Sequence, residues 1–156
     1  MKKLIELDIN DEVHELAVRP DASLLNVLRG ELGLVGPKKG CDTGGCGCCS
    51  VEVDGKVVYS CMVYAASVEG RKIRTVEGIG TADSLHPLQQ AFIDAGAVQC
   101  GYCTSGMLMA AKQLLETNPS PDDDEIRQAI AGNLCRCTGY SKIVDAIRLA
   151  ASRMAA

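Results

Sequence analysis

The sequence contains no tryptophan, one phenylalanine and four tyrosines, although 47% of its 156 residues are apolar. An interior of this composition must be aliphatic, built from Leu, Ile, Val, Ala and Met. No apolar run approaches the roughly 18 residues that a membrane span requires. The opening stretch MKKLIELDINDEVHEL is interrupted by charges every few residues, so it reads as mature protein and not as a signal peptide. Basic stripes with interleaved aromatics are missing too, and the net charge is −4, which argues against a nucleic-acid partner. Only two histidines are present, His14 and His86, so a histidine-rich metal site is excluded. GIGTAD lacks the third glycine of a dinucleotide fingerprint, and no nucleophile elbow occurs. Nothing here can bind a substrate and transform it alone.

What the chain does have is sulfur. Nine cysteines in a chain without an export signal point to a reducing, cytoplasmic compartment and to metal ligation over a disulfide framework. Five of the nine fall between residues 40 and 61, in GCDTGGCGCCSVEVDGKVVYSC, among five glycines.

The organisation is in two halves. KLIELDIN and EVHELAV alternate with a period of two around Asn10-Asp11, which predicts a hairpin. DASLLNVLRGELGL changes to helical spacing, capped by Asp21 or Ser23. SVEVDGKVVYSC predicts a second hairpin across Asp54-Gly55, and RKIRTV a short further strand. Beyond EGIGTADS the strand signal stops. HPLQQAFIDAG, TSGMLMAAKQLLETN, DDDEIRQAIAGN and SKIVDAIRLAASRM predict four helices, with Pro87 in a first turn and Pro119 and Pro121 as separators. The expected class is α+β, with a mixed-sheet domain over residues 1–77 and an all-α domain over 78–156.

Cysteine spacing divides the thiols. Cys41, Cys46 and Cys49 form C-x4-C-x2-C, and Cys61 follows after eleven residues. This is the plant-type [2Fe–2S] ligand pattern. Such a centre with four thiolates is anionic, and a loop with Gly40, Gly44, Gly45 and Gly47 can approach it closely with its N–H groups. Structural zinc normally takes paired short knuckles, which fits this run poorly. Cys48 is one position out of register and reads as a small buried hydrophobe. In the second half, Cys100 and Cys103 precede a helix, and Cys135 and Cys137 lie in the turn after AIAGN. On spacing alone, that second set suits iron–sulfur or zinc.

Taken together, GCDTGGCGCCSV with Cys61, QCGYCTSGM and GNLCRCTGY resemble the small iron–sulfur subunit of the molybdenum hydroxylases, the xanthine oxidase-like family. The resemblance covers about residues 3 to 150. It implies a β-grasp ferredoxin-like domain whose first [2Fe–2S] cluster is held by Cys41, Cys46, Cys49 and Cys61. It also implies a four-helix bundle whose second cluster is held by Cys100, Cys103, Cys135 and Cys137. Gln99 matches the glutamine that contacts the pterin, and Cys137 the ligand closest to it. The implied partners are a large subunit that binds molybdopterin, together with one carrying FAD or another acceptor.

The implied function is an electron relay within an oxidoreductase complex. A free-standing two-cluster ferredoxin is the alternative, and a zinc-stapled scaffold is a second; a mean hydropathy of +0.07 favours surface covered by partners. Two departures from the family pattern stand out: Cys48 replaces an alanine, and Ser105 a proline. Ser105 is expected to cap the helix that follows. Pro37 is a further departure, expected to stiffen the entry to the first loop.

Overall fold

The computed structural model describes residues 1–155. Two hairpins and a lone strand build a mixed five-stranded sheet. The strands are β1 (Lys3–Ile9), β2 (Glu12–Val18), β3 (Ser50–Val53), β4 (Lys56–Tyr59) and β5 (Lys72–Arg74), in the order β2-β1-β5-β3-β4. Both turns have the two-residue form that follows the natural twist of paired strands, with Asn10 and Asp11 at φ 54° and 66° and Asp54 and Gly55 at 48° and 78°. Ile9 opposite Glu12 and Val53 opposite Lys56 close the two ladders.

Strand alternation decides which face is buried. Ile5, Leu7 and Ile9 of β1 face inward while Leu4 and Glu6 face solvent. Helix α1 (Leu24–Gly30) lays Leu24, Leu25, Val27 and Leu28 in the interior. Its cap is Ser23, whose Oγ accepts from the Asn26 N–H at 3.3 Å. Each of these fully buried Leu and Ile side chains contributes about 1.5–3 kcal/mol relative to exposure. The central pairing of β1 with β5 is parallel, Asp8 to Lys72 and Ile9 to Ile73. Short 3-10 turns at Ser60–Met62, Ala65–Val68 and Val76–Gly78 carry the chain between strands and onward to the helices.

The second half forms α2 (Pro87–Asp94), α3 (Thr104–Thr117), α4 (Asp123–Ile130) and α5 (Ser141–Met154). Their starts follow from local chemistry. His86 Nδ1 accepts from Leu88 N–H at 3.2 Å while Gln89 reaches back to the His86 N–H at 2.9 Å. Asp122 accepts from Asp124 and Glu125 N–H, and Glu125 answers on the Asp122 N–H. Both are reciprocal caps. The sole Phe, Phe92, is buried with Leu88, Met107, Ile126, Ile130, Ile143 and Ile147.

The halves are not separate in packing. Helix α3 lies against β3 and β4. Cys46 and Cys48, from the first half by sequence, belong to the helical core. Lys112 of α3 bridges to Glu52 of β3 at 2.7 Å and to Glu116 at 2.6 Å. The cysteine loop is thereby clamped between sheet and helices.

Candidate metal centres

At two of its glycines the cysteine loop leaves no room for a side chain. A Cβ on Gly40 would lie 2.8 Å from Cys46 Sγ. Gly47 has φ +68°, and a Cβ there would sit 2.5 Å from the Gly132 carbonyl oxygen. Within the loop the Thr43 N–H donates to Cys41 Sγ at 3.4 Å. That bond, with the Thr43 hydroxyl and the Cys46 thiol, pulls the Cys41 thiol down to about 6. Cys41 can thus be a thiolate at neutral pH before any metal arrives. Cys49 is buried, and burial pushes it up to about 11. It meets the Cys61 thiol, which the Ser60–Met62 turn presents. Ser60 fixes that turn by donating through its hydroxyl and its N–H to the Cys49 carbonyl, at 2.7 and 3.3 Å.

The second set forms where α3 begins and where α4 gives way to α5. Cys103 is the residue from which α3 starts, and burial, then its contact with the Cys135 thiol, pushes it up to about 12. Burial also raises Cys135, but the Thr138 hydroxyl at 3.0 Å and N–H at 3.4 Å outweigh it and bring the thiol down to about 7. Cys137 Sγ donates to Cys100 Sγ at 3.5 Å, and both residues are exposed.

The eight thiols therefore meet two by two: Cys41 with Cys46, Cys49 with Cys61, Cys100 with Cys137, and Cys103 with Cys135. Among the described residues, no three or more His, Cys, Asp or Glu side chains gather where a single ion could hold them. A bridged two-iron centre takes two thiolates on each iron, so paired sulfurs fit it. In the Cys103–Cys135 pair a lowered thiol stands beside a raised one, which also fits, since the metal's charge replaces the proton of the reluctant partner. Cys48 meets Cys46 as well, but it is 5% exposed, donates to the Cys46 carbonyl at 3.8 Å, and burial holds it up at about 12.

One expectation fails. Ser105 does not cap α3: it lies inside the first turn, and its buried Oγ has no hydrogen-bond partner. With Cys103 already in helical geometry, the serine falls past the capping position, where its hydroxyl cannot reach a free N–H.

Several residues that position the site carry no signal in the sequence. Tyr140 sits at φ 69°, a costly conformation for a tyrosine, and its hydroxyl accepts from Cys135 N–H at 2.9 Å and donates to the Asn133 carbonyl at 3.2 Å. Asn133, 3% exposed, donates to the Gly47 carbonyl at 2.9 Å. Tyr102 donates to the Lys39 carbonyl at 2.8 Å, tying the second set to the first loop. No local pattern marks the Asn133 and Tyr102 contacts, because each joins segments far apart in sequence.

Gln99, Cys100 and Cys137 share an exposed end of the molecule with Val98, Tyr102 and Leu134, the last three at least 42% exposed. A groove of about 550 Å³ between β4 and the α3–α4 pair is lined by Val57, Tyr59, Leu114 and Asn133 among others. Its lining carries no charged side chain.

Comparison with known proteins places the two halves in two families. Residues 7–81 match the family described as 2Fe-2S iron-sulfur cluster binding domain, and residues 75–148 the one described as [2Fe-2S] binding domain. The chain is 47% identical to a nicotinate dehydrogenase subunit from Pseudomonas putida, over 97% of this chain and 96% of that one. It is 46% identical to the nicotinate dehydrogenase small FeS subunit of Eubacterium barkeri, over 99% and 98%. Among solved structures, quinoline 2-oxidoreductase from Pseudomonas putida 86 superposes with a TM-score of 0.93 at 42% identity, over 97% of this chain and 94% of that one. With paired thiols at two places and likeness along nearly its whole length, the chain belongs to the small [2Fe–2S] subunits of the molybdenum hydroxylase family.

Proposed function

We propose that the chain is the electron-relay subunit of a molybdopterin-dependent oxidoreductase, with one [2Fe–2S] cluster on each half. Cys41, Cys46, Cys49 and Cys61 hold the first; Cys100, Cys103, Cys135 and Cys137 hold the second. The observation that carries this reading is the meeting of eight thiols in four pairs at two places. When bound, each cluster accepts and returns a single electron.

The chain's own residues provide the rest. Thr43 and Thr138 direct N–H groups at Cys41 and Cys135, stabilising negative charge on sulfur. Burial of Cys46, Cys49 and Cys103 keeps water from the inner sulfurs. Exposed Cys137, Cys100 and Gln99 form the face offered to a large molybdopterin-binding subunit, with Gln99 toward the pterin. The first loop, where Cys41 is half-exposed, is offered to a flavin subunit or another acceptor.

The same reading divides the chain at residues 77 and 78 into a β-grasp ferredoxin-like domain and a four-helix bundle. In support, every described strand precedes residue 75, and in the second half α2 packs on α5 and α3, and α4 on α3 and α5. Nine free thiols suit a cytoplasmic location, and no described helix is long and apolar enough to cross a membrane. Family membership favours this over a free-standing ferredoxin or a zinc scaffold.

Iron and acid-labile sulfide analysis with EPR tests it. The expected result is about four of each per chain and two distinct [2Fe–2S] signals after dithionite. About one zinc per four-cysteine set, without visible absorbance, overturns it.

A further inference from the structure

Cys48 is the one thiol outside the two sets, yet its sulfur stands among theirs. It is 5% exposed and packs in the helical core with Cys46 and Cys103. A Cβ on Gly40 would lie 2.8 Å from the Cys46 sulfur and 3.4 Å from the Cys48 sulfur. The two sulfurs therefore share the space that this glycine leaves open.

The backbone around Cys48 is held on both sides. The Lys38 N–H donates to the Cys48 carbonyl at 2.9 Å, and the Ser50 N–H and hydroxyl donate to the Gly47 carbonyl at 3.1 and 2.7 Å. Burial and the surrounding thiols keep the proton on Cys48. Two acceptors lie within its reach, the Cys46 carbonyl at 3.8 Å and the Cys46 sulfur. The carbonyl already accepts from the Leu134 N–H at 2.9 Å. A ligand thiolate at Cys46 is the stronger attractor, because a hydrogen bond to a charged group exceeds one to a neutral group.

We propose that Cys48 is a positioning residue that aims its S–H at the Cys46 sulfur and thereby raises the reduction potential of the first set's cluster. The inference rests on the reading that Cys41, Cys46, Cys49 and Cys61 hold a [2Fe–2S] cluster. Reduction adds one electron to that centre, and no bond forms or breaks. Part of the added negative charge falls on the ligand sulfurs, so a donor at Cys46 stabilises the reduced form more than the oxidised one. A side chain that only filled the space would favour neither form.

The test is an EPR-monitored redox titration with dithionite, on the complete complex as purified, of the unaltered protein and of Cys48→Ala and Cys48→Ser. The first set's signal is identified as the one that survives Cys137→Ala. In Cys48→Ala its reduction equilibrium is expected to fall about fivefold, which is about 40 mV at 59 mV per tenfold for one electron. The second signal should keep its midpoint. Cys48→Ser, which retains a donor, should hold the first midpoint at or above that of the unaltered protein. An unmoved first midpoint in Cys48→Ala overturns the proposal, whatever the variant does to stability. An equal fall in Cys48→Ala and Cys48→Ser overturns it too, because packing and not the proton would then be the cause. So does an equal shift of both signals. Should Cys48→Ala fail to assemble, Cys48→Val, which also lacks the donor, must show the same fall, and an unmoved midpoint there counts against the proposal. Absence of two signals in the unaltered protein overturns the cluster reading itself, a result distinct from these.

Discussion

Cys100 and Cys137 stand with their sulfurs 3.5 Å apart, although they come from opposite sides of the helical half. Cys100 precedes α3, and Cys137 follows α4. Only the return of α4 beside α3 brings the two together, so the pair is a product of packing.

Because Cys137 is exposed, its loss should remove a ligand without opening the core. Cys137→Ala is expected to fold, to retain the first [2Fe–2S] signal and to lose the second. Iron should fall from about four to about two per chain. Metal analysis and EPR on the purified variant check this; full retention of both signals would exclude Cys137 from the ligand set.

Cys48 provides the opposite expectation. It is 5% exposed and packed with the helical core, so Cys48→Ala should keep both signals. The smaller side chain should cost about 1 kcal/mol in stability, measured by urea unfolding. Loss of the first signal in Cys48→Ala, with survival in Cys49→Ala, would reverse the register of the loop.

Lys112 ties the helices to the sheet. Burial pulls its ammonium down, but the hydrogen bonds and charges of Glu116 and Glu52 outweigh that and hold it above the ordinary lysine range. With Lys112 and Glu52 side chains 10% and 17% exposed, Lys112→Ala strands a shielded carboxylate. It should cost about 2–3 kcal/mol, between the values for surface and fully buried pairs. Glu116 is half-exposed, so Glu116→Ala should cost under about 1 kcal/mol. Chemical denaturation of both variants separates the two contributions.

His86 makes stability pH-dependent. Burial, then the charge of Lys112, holds its imidazole below the usual 6.5. The neutral ring is the one that caps α2, since Nδ1 must accept from Leu88 N–H. The unfolded chain therefore takes up this proton first as pH falls, and the stabilisation is complete above about 6.5 and lost as pH drops through the lower folded value. His86→Asn, a cap without a titrating group, should flatten the fall in Tm between about pH 7 and pH 5 relative to the unaltered protein. An identical slope in the two proteins would show that another group governs that range.

Both hairpins, α1 and the four later helices were legible in the sequence. Period-two and period-3.6 patterns, turn dipeptides and a cap such as Ser23 act within a few residues, so local chemistry decides them. Cysteine spacing likewise divided eight thiols into two sets and left out Cys48, because the order of cysteines along a loop is a local property too. Local reasoning misled at Ser105, where a good capping residue fell too deep in the first turn to cap. Tertiary structure alone decided the parallel pairing of β1 with β5, the placing of Cys46 and Cys48 in the helical core rather than the sheet's, and the meeting of Asn133, Gly47, Gly132 and Tyr59 between the two cysteine loops. Those contacts join segments tens of residues apart, and their energy exists only once the sheet and the helices have packed.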